Sequence, residues 1–224
     1  PLAPVDDKVF RQILDGLFVD VKGEAGLSRA ARSIVHRYPE RHYLLGALTQ
    51  HTDLSADLRQ DLRARGEDAL EMHSARQQNE ARFAQANAHV RARRYADAAP
   101  LYEAILANAT DDIAAHRMLA WSLSRLGQHS SAWGHYERAL ELNPDDFESL
   151  TNMAAITLSK GRADGVGYLD RALQANPHHT TAYRIYVQYL RDQGRDADAH
   201  ELAGRAREQL SAEEAEAIEQ LLRR

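Results

Sequence analysis

Cysteine is absent from the 224 residues, which excludes disulfides, thiolate nucleophiles and zinc–sulfur sites. No run of about 18 apolar residues occurs, so no segment reads as a membrane-spanning helix. Proline numbers six and glycine twelve, few for an all-β chain of this length, whose turns depend on both. Neither charge dominates. Thirty-three acidic residues stand against 28 basic ones, a net −5 with no basic block, and this argues against a nucleic-acid partner. Lysine is scarce too: Lys8, Lys22 and Lys160 are the only lysines, the other basic residues being arginine, a skew that fits a GC-rich bacterial genome. Motifs for chemistry are missing as well. The chain contains no P-loop, GxGxxG, GxSxG, HExxH or H-x-x-x-H.

What the chain has is a period. Gly127, Gly161 and Gly194 lie 34 and 33 residues apart, and Pro144 and Pro177 repeat in the contexts RALELNPDD and RALQANPHH. Counted from Asn79, four units follow: 79–112, 113–146, 147–179 and 180–213. The third is one residue short, a deletion placed in its internal turn near Arg162–Asp164. Small residues fall in register at Ala86, Ala120, Ala154 and Val187, and again at Ala98, Ala132, Gly165 and Ala199. A third small column runs through Ala139, Ala172 and Ala206, as expected where helices cross closely. The recurring glycine supplies a left-handed residue to end one helix. The proline stops a second helix, and the Asp or Thr pair after it is expected to cap the next.

Unit 113–146, with Leu119-Ala120, Gly127, Ala132, Tyr136, Ala139 and Pro144, resembles a tetratricopeptide repeat almost position by position. The third and fourth units match at Gly161, Leu169, Ala172 and Pro177, and at Gly194, Ala199 and Ala206. The first is weaker, with Arg93 at the glycine position and Thr110 at the proline position. The resemblance implies an all-α fold, a right-handed α-solenoid of helical hairpins over residues 79–213. Residues 211–224, with Ser211 and Glu214 in capping-box spacing, read as a C-terminal capping helix.

Residues 1–78 read as an N-terminal helical extension that includes one degenerate repeat or simply covers the end of the stack. Short helices are expected in DDKVFRQILDGLF, SRAARSIVHRYPE and RHYLLGALTQH, and one or two longer ones between Leu54 and Arg93.

The resemblance also implies a site. The first helix of each hairpin lines a concave groove through its positions 2, 5, 9, 12 and 13. Those positions hold Glu80, Phe83, Asn87, Val90 and Arg91, then Arg117, Trp121, Ser124 and Arg125. The third unit offers Glu148, Thr151, Ala155 and Leu158, the fourth Thr181, Arg184, Gln188 and Arg191. The expected role is a scaffold or adaptor that binds a peptide or helix of a partner protein. Its guanidiniums would meet carboxylates while Trp121 and Phe83 take apolar anchors. Phe83 and Val90 packing on the N-terminal helices, and Trp121 on its neighbour, is the competing expectation. The clamp that grips chaperone C-termini fits poorly, since only Asn87 matches and Phe83, Met118 and Glu148 break the pattern.

No catalytic residue, cofactor or metal is expected, and the chain reads as a non-enzyme. Alternatives are a substrate-presenting domain of a larger glycosyltransferase or sulfotransferase, a chaperone for secreted subunits, and a scaffold that self-associates through Phe83, Val90 and Trp121. The chain begins at Pro1. Cytoplasmic placement is expected, or periplasmic placement if Pro1 follows a removed signal peptide.

Overall fold

The computed structural model describes residues 56–223. The three short helices expected in DDKVFRQILDGLF, SRAARSIVHRYPE and RHYLLGALTQH lie outside the described residues. The chain divides into two compact units, Pro1–Gln78 and Asn79–Arg224. Of the first unit, the described part is helical from Ala56, within a single 36-residue helix α1 (Ala56–Arg91) where one or two were expected.

The second unit holds the end of α1 and eight further helices: α2 (Tyr95–Leu106), α3 (Ile113–Arg125), α4 (His129–Leu142), α5 (Phe147–Ser159), α6 (Gly165–Ala175), α7 (Thr180–Asp192), α8 (Asp196–Gln209) and α9 (Ala212–Leu222). They pair as antiparallel hairpins, and α3, α5, α7 and α9 each pack on the next as the inner row of a right-handed α-solenoid.

The turn inside each hairpin follows from one backbone device. Gly127, Gly161 and Gly194 adopt φ of +78°, +74° and +69°. The amide that follows each reaches back five residues: Gln128 N to Leu123 O at 2.9 Å, Arg162 N to Thr157 O at 3.2 Å and Arg195 N to Leu190 O at 2.8 Å. This left-handed closure satisfies carbonyls that the helix end leaves open. In the first hairpin the same bond runs from Arg94 N to His89 O at 2.9 Å, and Arg93 supplies the left-handed residue at φ +57°. Among the described residues Arg93 is the one non-glycine with positive φ.

The starts of the inner helices differ. Asp112 accepts from Ala115 N at 2.9 Å and Asp146 from Ser149 N at 3.1 Å, capping α3 and α5 as their sequence positions predict. The Thr pair does not cap α7. His179 stands at that N-cap without a side-chain bond, and Thr180 instead donates its hydroxyl to Glu214 Oε1 at 2.7 Å. The Glu214 carboxylate, at the start of α9, takes that hydroxyl in place of the local amides.

Small residues do sit at the helix crossings. Ala86, Ala98, Ala120, Ala132, Ala139, Ala154, Ala172, Ala199 and Ala206 are fully buried. At Gly165 a Cβ would come within 2.7 Å of the Leu158 side chain, so this crossing is too close even for alanine without movement. The one-residue deletion is absorbed beside it. Residues 162–164 form a turn, braced by the Arg162–Asp164 ion pair, and α6 has 11 residues where α4 and α8 have 14.

Among the described residues, two clusters make the core. One gathers Ala86, Tyr102, Ile105, Leu119, Tyr136 and Met153; the other gathers Leu150, Leu169, Tyr183, Val187, Leu202 and Ile218. Each large side chain removed from water contributes roughly 1.5–3 kcal/mol. Leu140 and Tyr168 touch both clusters. The last exposed stack face is covered by α9, which opens with the Ser211/Glu214 capping box and buries Ala215 and Ile218.

Candidate functional site

The first-helix row of the second unit contains a cavity of about 280 Å³. Val90 from α1, Arg117, Met118 and Trp121 from α3, and Glu148, Thr151 and Asn152 from α5 line it, with His179 and Thr181 at the start of α7. Four consecutive inner segments therefore contribute, because the 34-residue period returns the chain to the same face each time.

Arg117 is the electrostatic centre of this wall. Its NH1 donates to Asp146 Oδ1 at 2.6 Å, and its Nε lies 2.8 Å from Glu148 Oε2. Asp146 thus has two tasks, capping α5 and receiving the guanidinium of α3, with its side chain only 6 % exposed. Its Oδ1 accepts from the Arg117 guanidinium and its Oδ2 from the Ser149 amide, so both carboxylate oxygens are matched by donors. Glu148 differs, its side chain being 44 % exposed at the cavity wall. The expectation that Arg117 awaits a ligand carboxylate is therefore met by the chain's own carboxylates.

Trp121 is half-buried and packs edge-on against Tyr95, with ring centroids 5.2 Å apart at 85°. Arg125 is exposed and its guanidinium carbon lies 5.6 Å from the centre of the same Tyr95 ring. The indole is thus braced from one side while still contributing to the cavity.

The other expected groove residues divide. Val90 lines the cavity, whereas Phe83 turns onto Tyr102, ring centroids 5.5 Å apart at 73°. Asn87 accepts the Tyr102 hydroxyl at 2.7 Å. Arg91 and Arg184 are exposed, and Gln188 donates to Asp192 at 2.8 Å. Arg191 donates to the Leu221 carbonyl at the end of α9, so it fastens the terminal helix rather than facing an open groove. The structure brings together Val90, Arg117 and Trp121 at one cavity. Phe83, Asn87, Arg91, Arg125, Arg184, Gln188 and Arg191 lie outside its lining.

Met118, Asn152 and His179 join the cavity without having been singled out from the sequence. Met118 and Asn152 occupy position 6 of their units, adjacent to the positions assigned to the groove, and a wider angular window would have included them. His179 precedes α7 and packs edge-on against Phe147 at 4.8 Å. Burial pushes its imidazole below the ordinary histidine value, with Glu148 acting in the opposite direction.

Outside the cavity, His116 and His135 meet in a partly buried contact between α3 and α4. His116 Nδ1 lies 3.1 Å from His135 Nδ1, and His116 Nε2 lies 2.9 Å from the Thr110 carbonyl. The carbonyl requires Nε2–H on His116, which leaves its Nδ1 to accept from His135. Among the described residues no group of three or more His, Asp or Glu is placed to hold a metal ion.

Two family models, each described as tetratricopeptide repeat, match the sequence, one over residues 63–113 and 83–147 and the other over 135–165. Residues 63–165 of this chain belong to the tetratricopeptide-repeat family. No curated protein matches its sequence. Among solved structures, it is similar to MamA, with a TM-score of 0.51 at 13% identity over 90% of each chain. It is also similar to YrrB, titled a TPR protein with an unusual peptide-binding site, with a TM-score of 0.51 at 18% identity over 94% of this chain and 97% of that one. At such identities the likeness concerns the fold. In tetratricopeptide terms the cavity lies between the inner helices of the first three hairpins and the start of the fourth, and the described helices include none long and apolar enough to cross a membrane.

Proposed function

We propose that this protein is a protein-interaction module that holds an extended peptide or helix of a partner along the inner helices of its tetratricopeptide repeats. The observation that carries the reading is the cavity walled by Trp121, Met118 and Val90 on one side and by Glu148, Thr151 and Asn152 on the other. Its volume of about 280 Å³ lies just below the range of roughly 300–1,000 Å³ usual for small-molecule pockets. It suits one or two anchoring side chains. An aromatic wall braced by Tyr95 is the type of preorganised surface on which binding energy concentrates.

The test is selection of random phage-displayed dodecapeptides on the chain, followed by fluorescence anisotropy with the enriched sequences. Trp121→Ala should weaken binding by roughly thirtyfold or more, the loss typical of a central aromatic anchor. Arg207→Ala, at an exposed outer residue paired with Glu219, should leave binding unchanged. Peptides that bind the wild type and the Trp121→Ala variant equally, with helicity by circular dichroism the same, would refute this site.

A further inference from the structure

The polar atoms of the cavity are unevenly spent. Arg117 already faces two carboxylates, Asp146 and Glu148, so that cluster carries one negative charge in excess. Asn152 donates its Nδ2 to the Glu148 carbonyl at 2.8 Å, and its Oδ1 remains as an acceptor. Thr151 donates its hydroxyl to the Phe147 carbonyl at 2.7 Å, which likewise turns its proton away. Glu148 has a second carboxylate oxygen beyond the one beside Arg117. The wall therefore offers acceptors and excess negative charge, beside an apolar surface of Val90, Met118 and Trp121.

A long apolar stem ending in a cationic donor matches both halves of this lining. Its methylenes would lie along Trp121 and Met118, where a cation also gains from the indole face. Its head would meet Glu148 and Asn152. A carboxylate would instead confront Glu148 and find the Arg117 cation already matched. Resting on the peptide-binding reading above, we infer that the anchoring residue of the partner is an arginine or lysine, inserted between Trp121 and Glu148. Among the described residues the exposed Arg125 and Arg184 form no ion pair, and they stand one helical turn beyond Trp121 and Thr181. They favour acidic residues on either side of the anchor, so the recognised segment is a single basic residue set among acidic ones.

The peptides enriched by the selection above supply the probe. One is synthesised in three fluorescein-labelled copies, with its basic residue kept, replaced by citrulline, or replaced by glutamate. Citrulline retains the shape and removes the charge. The inference expects a basic residue in the enriched set, roughly a tenfold loss on citrulline and a larger loss on glutamate. Glu148→Gln should cost the arginine copy a similar factor and the citrulline copy little, since the two changes remove one shared interaction. Circular dichroism checks that the half-exposed Glu148 site tolerates the change.

Enriched peptides that need Trp121 but carry no basic residue, or that bind equally well as citrulline copies, would overturn the basic anchor while leaving the peptide-binding reading intact. Equal loss of both copies on Glu148→Gln would overturn it too. If no enriched peptide depends on Trp121, the peptide-binding reading fails and the anchor with it.

Discussion

The Tyr102 hydroxyl donates to Asn87 Oδ1 at 2.7 Å, whereas Tyr136, its counterpart 34 residues later, is fully buried and its hydroxyl has no partner among the described residues. The difference traces to one column of the repeat. Asn87 stands where the next unit has Trp121, and an indole offers no acceptor to a phenol. Burial raises both phenols, Tyr102 to about 12 and Tyr136 further, so each stays protonated at neutral pH.

Opposite responses to the same substitution follow. Tyr102→Phe should lose about 1 kcal/mol, because Asn87 is left with an unused acceptor in a half-buried place. Tyr136→Phe removes a hydroxyl that has no partner and should be neutral or stabilising by up to about 1 kcal/mol. Urea denaturation of the two variants measures both. A Tyr136→Phe loss larger than the Tyr102→Phe loss would contradict the assignment of the orphaned hydroxyl.

Arg93 pays a steric penalty that its three glycine counterparts avoid. An L-residue in the left-handed region costs about 1–2 kcal/mol, partly offset because glycine has more freedom to lose on folding. Arg93→Gly should therefore raise stability by roughly 0.5–1 kcal/mol, while Gly127→Ala, at φ +78°, should lower it by a similar amount. Thermal unfolding followed at 222 nm would show a higher midpoint for the first and a lower one for the second. Since no atom lies within 4 Å of a Cβ at Gly127, a loss there reports the backbone alone.

Acid should weaken the fold through two histidines. Burial and the adjacent His116 hold His135 below its ordinary value, and burial does the same to His179. The unfolded chain then binds protons more readily than the folded one below about pH 6.5. Stability is fully present above that pH and falls as pH drops toward the depressed folded values. Chemical denaturation midpoints between pH 7.5 and 5 should decline, and His135→Gln should flatten part of the decline. A midpoint that rises over this interval would contradict the direction assigned to both groups.

The repeat framework was legible because its cues are local. Glycine, proline and alanine columns each enforce a backbone conformation or a crossing distance within one hairpin. The weak first unit was legible for the same reason, since Arg93 sits in the glycine column and folds as glycine would. The capping of α7 was misread: Thr180 has the chemistry of a cap, but its hydroxyl is taken by Glu214, 34 residues away. The state of Arg117 depended on still more distant partners, Asp146 and Glu148. Column assignment shows that an arginine faces inward. It does not show that the next repeat brings two carboxylates to it. Arg191 was hidden similarly, because its partner is a backbone carbonyl of α9.

The contact of Leu140 and Tyr168 with both core clusters bears on how the array comes apart. Repeat arrays unfold by an Ising-like balance between the stability of each unit and its interfaces, and cooperativity extends only as far as the weakest interface allows. Here the seam between the clusters is bridged by those two side chains, with Trp133 edge-on to Tyr168 at 6.0 Å. The shortened α6 carries Tyr168, so the hairpin that lost a residue is also the one joining the halves. That seam sets whether the four hairpins melt together or as two successive pairs.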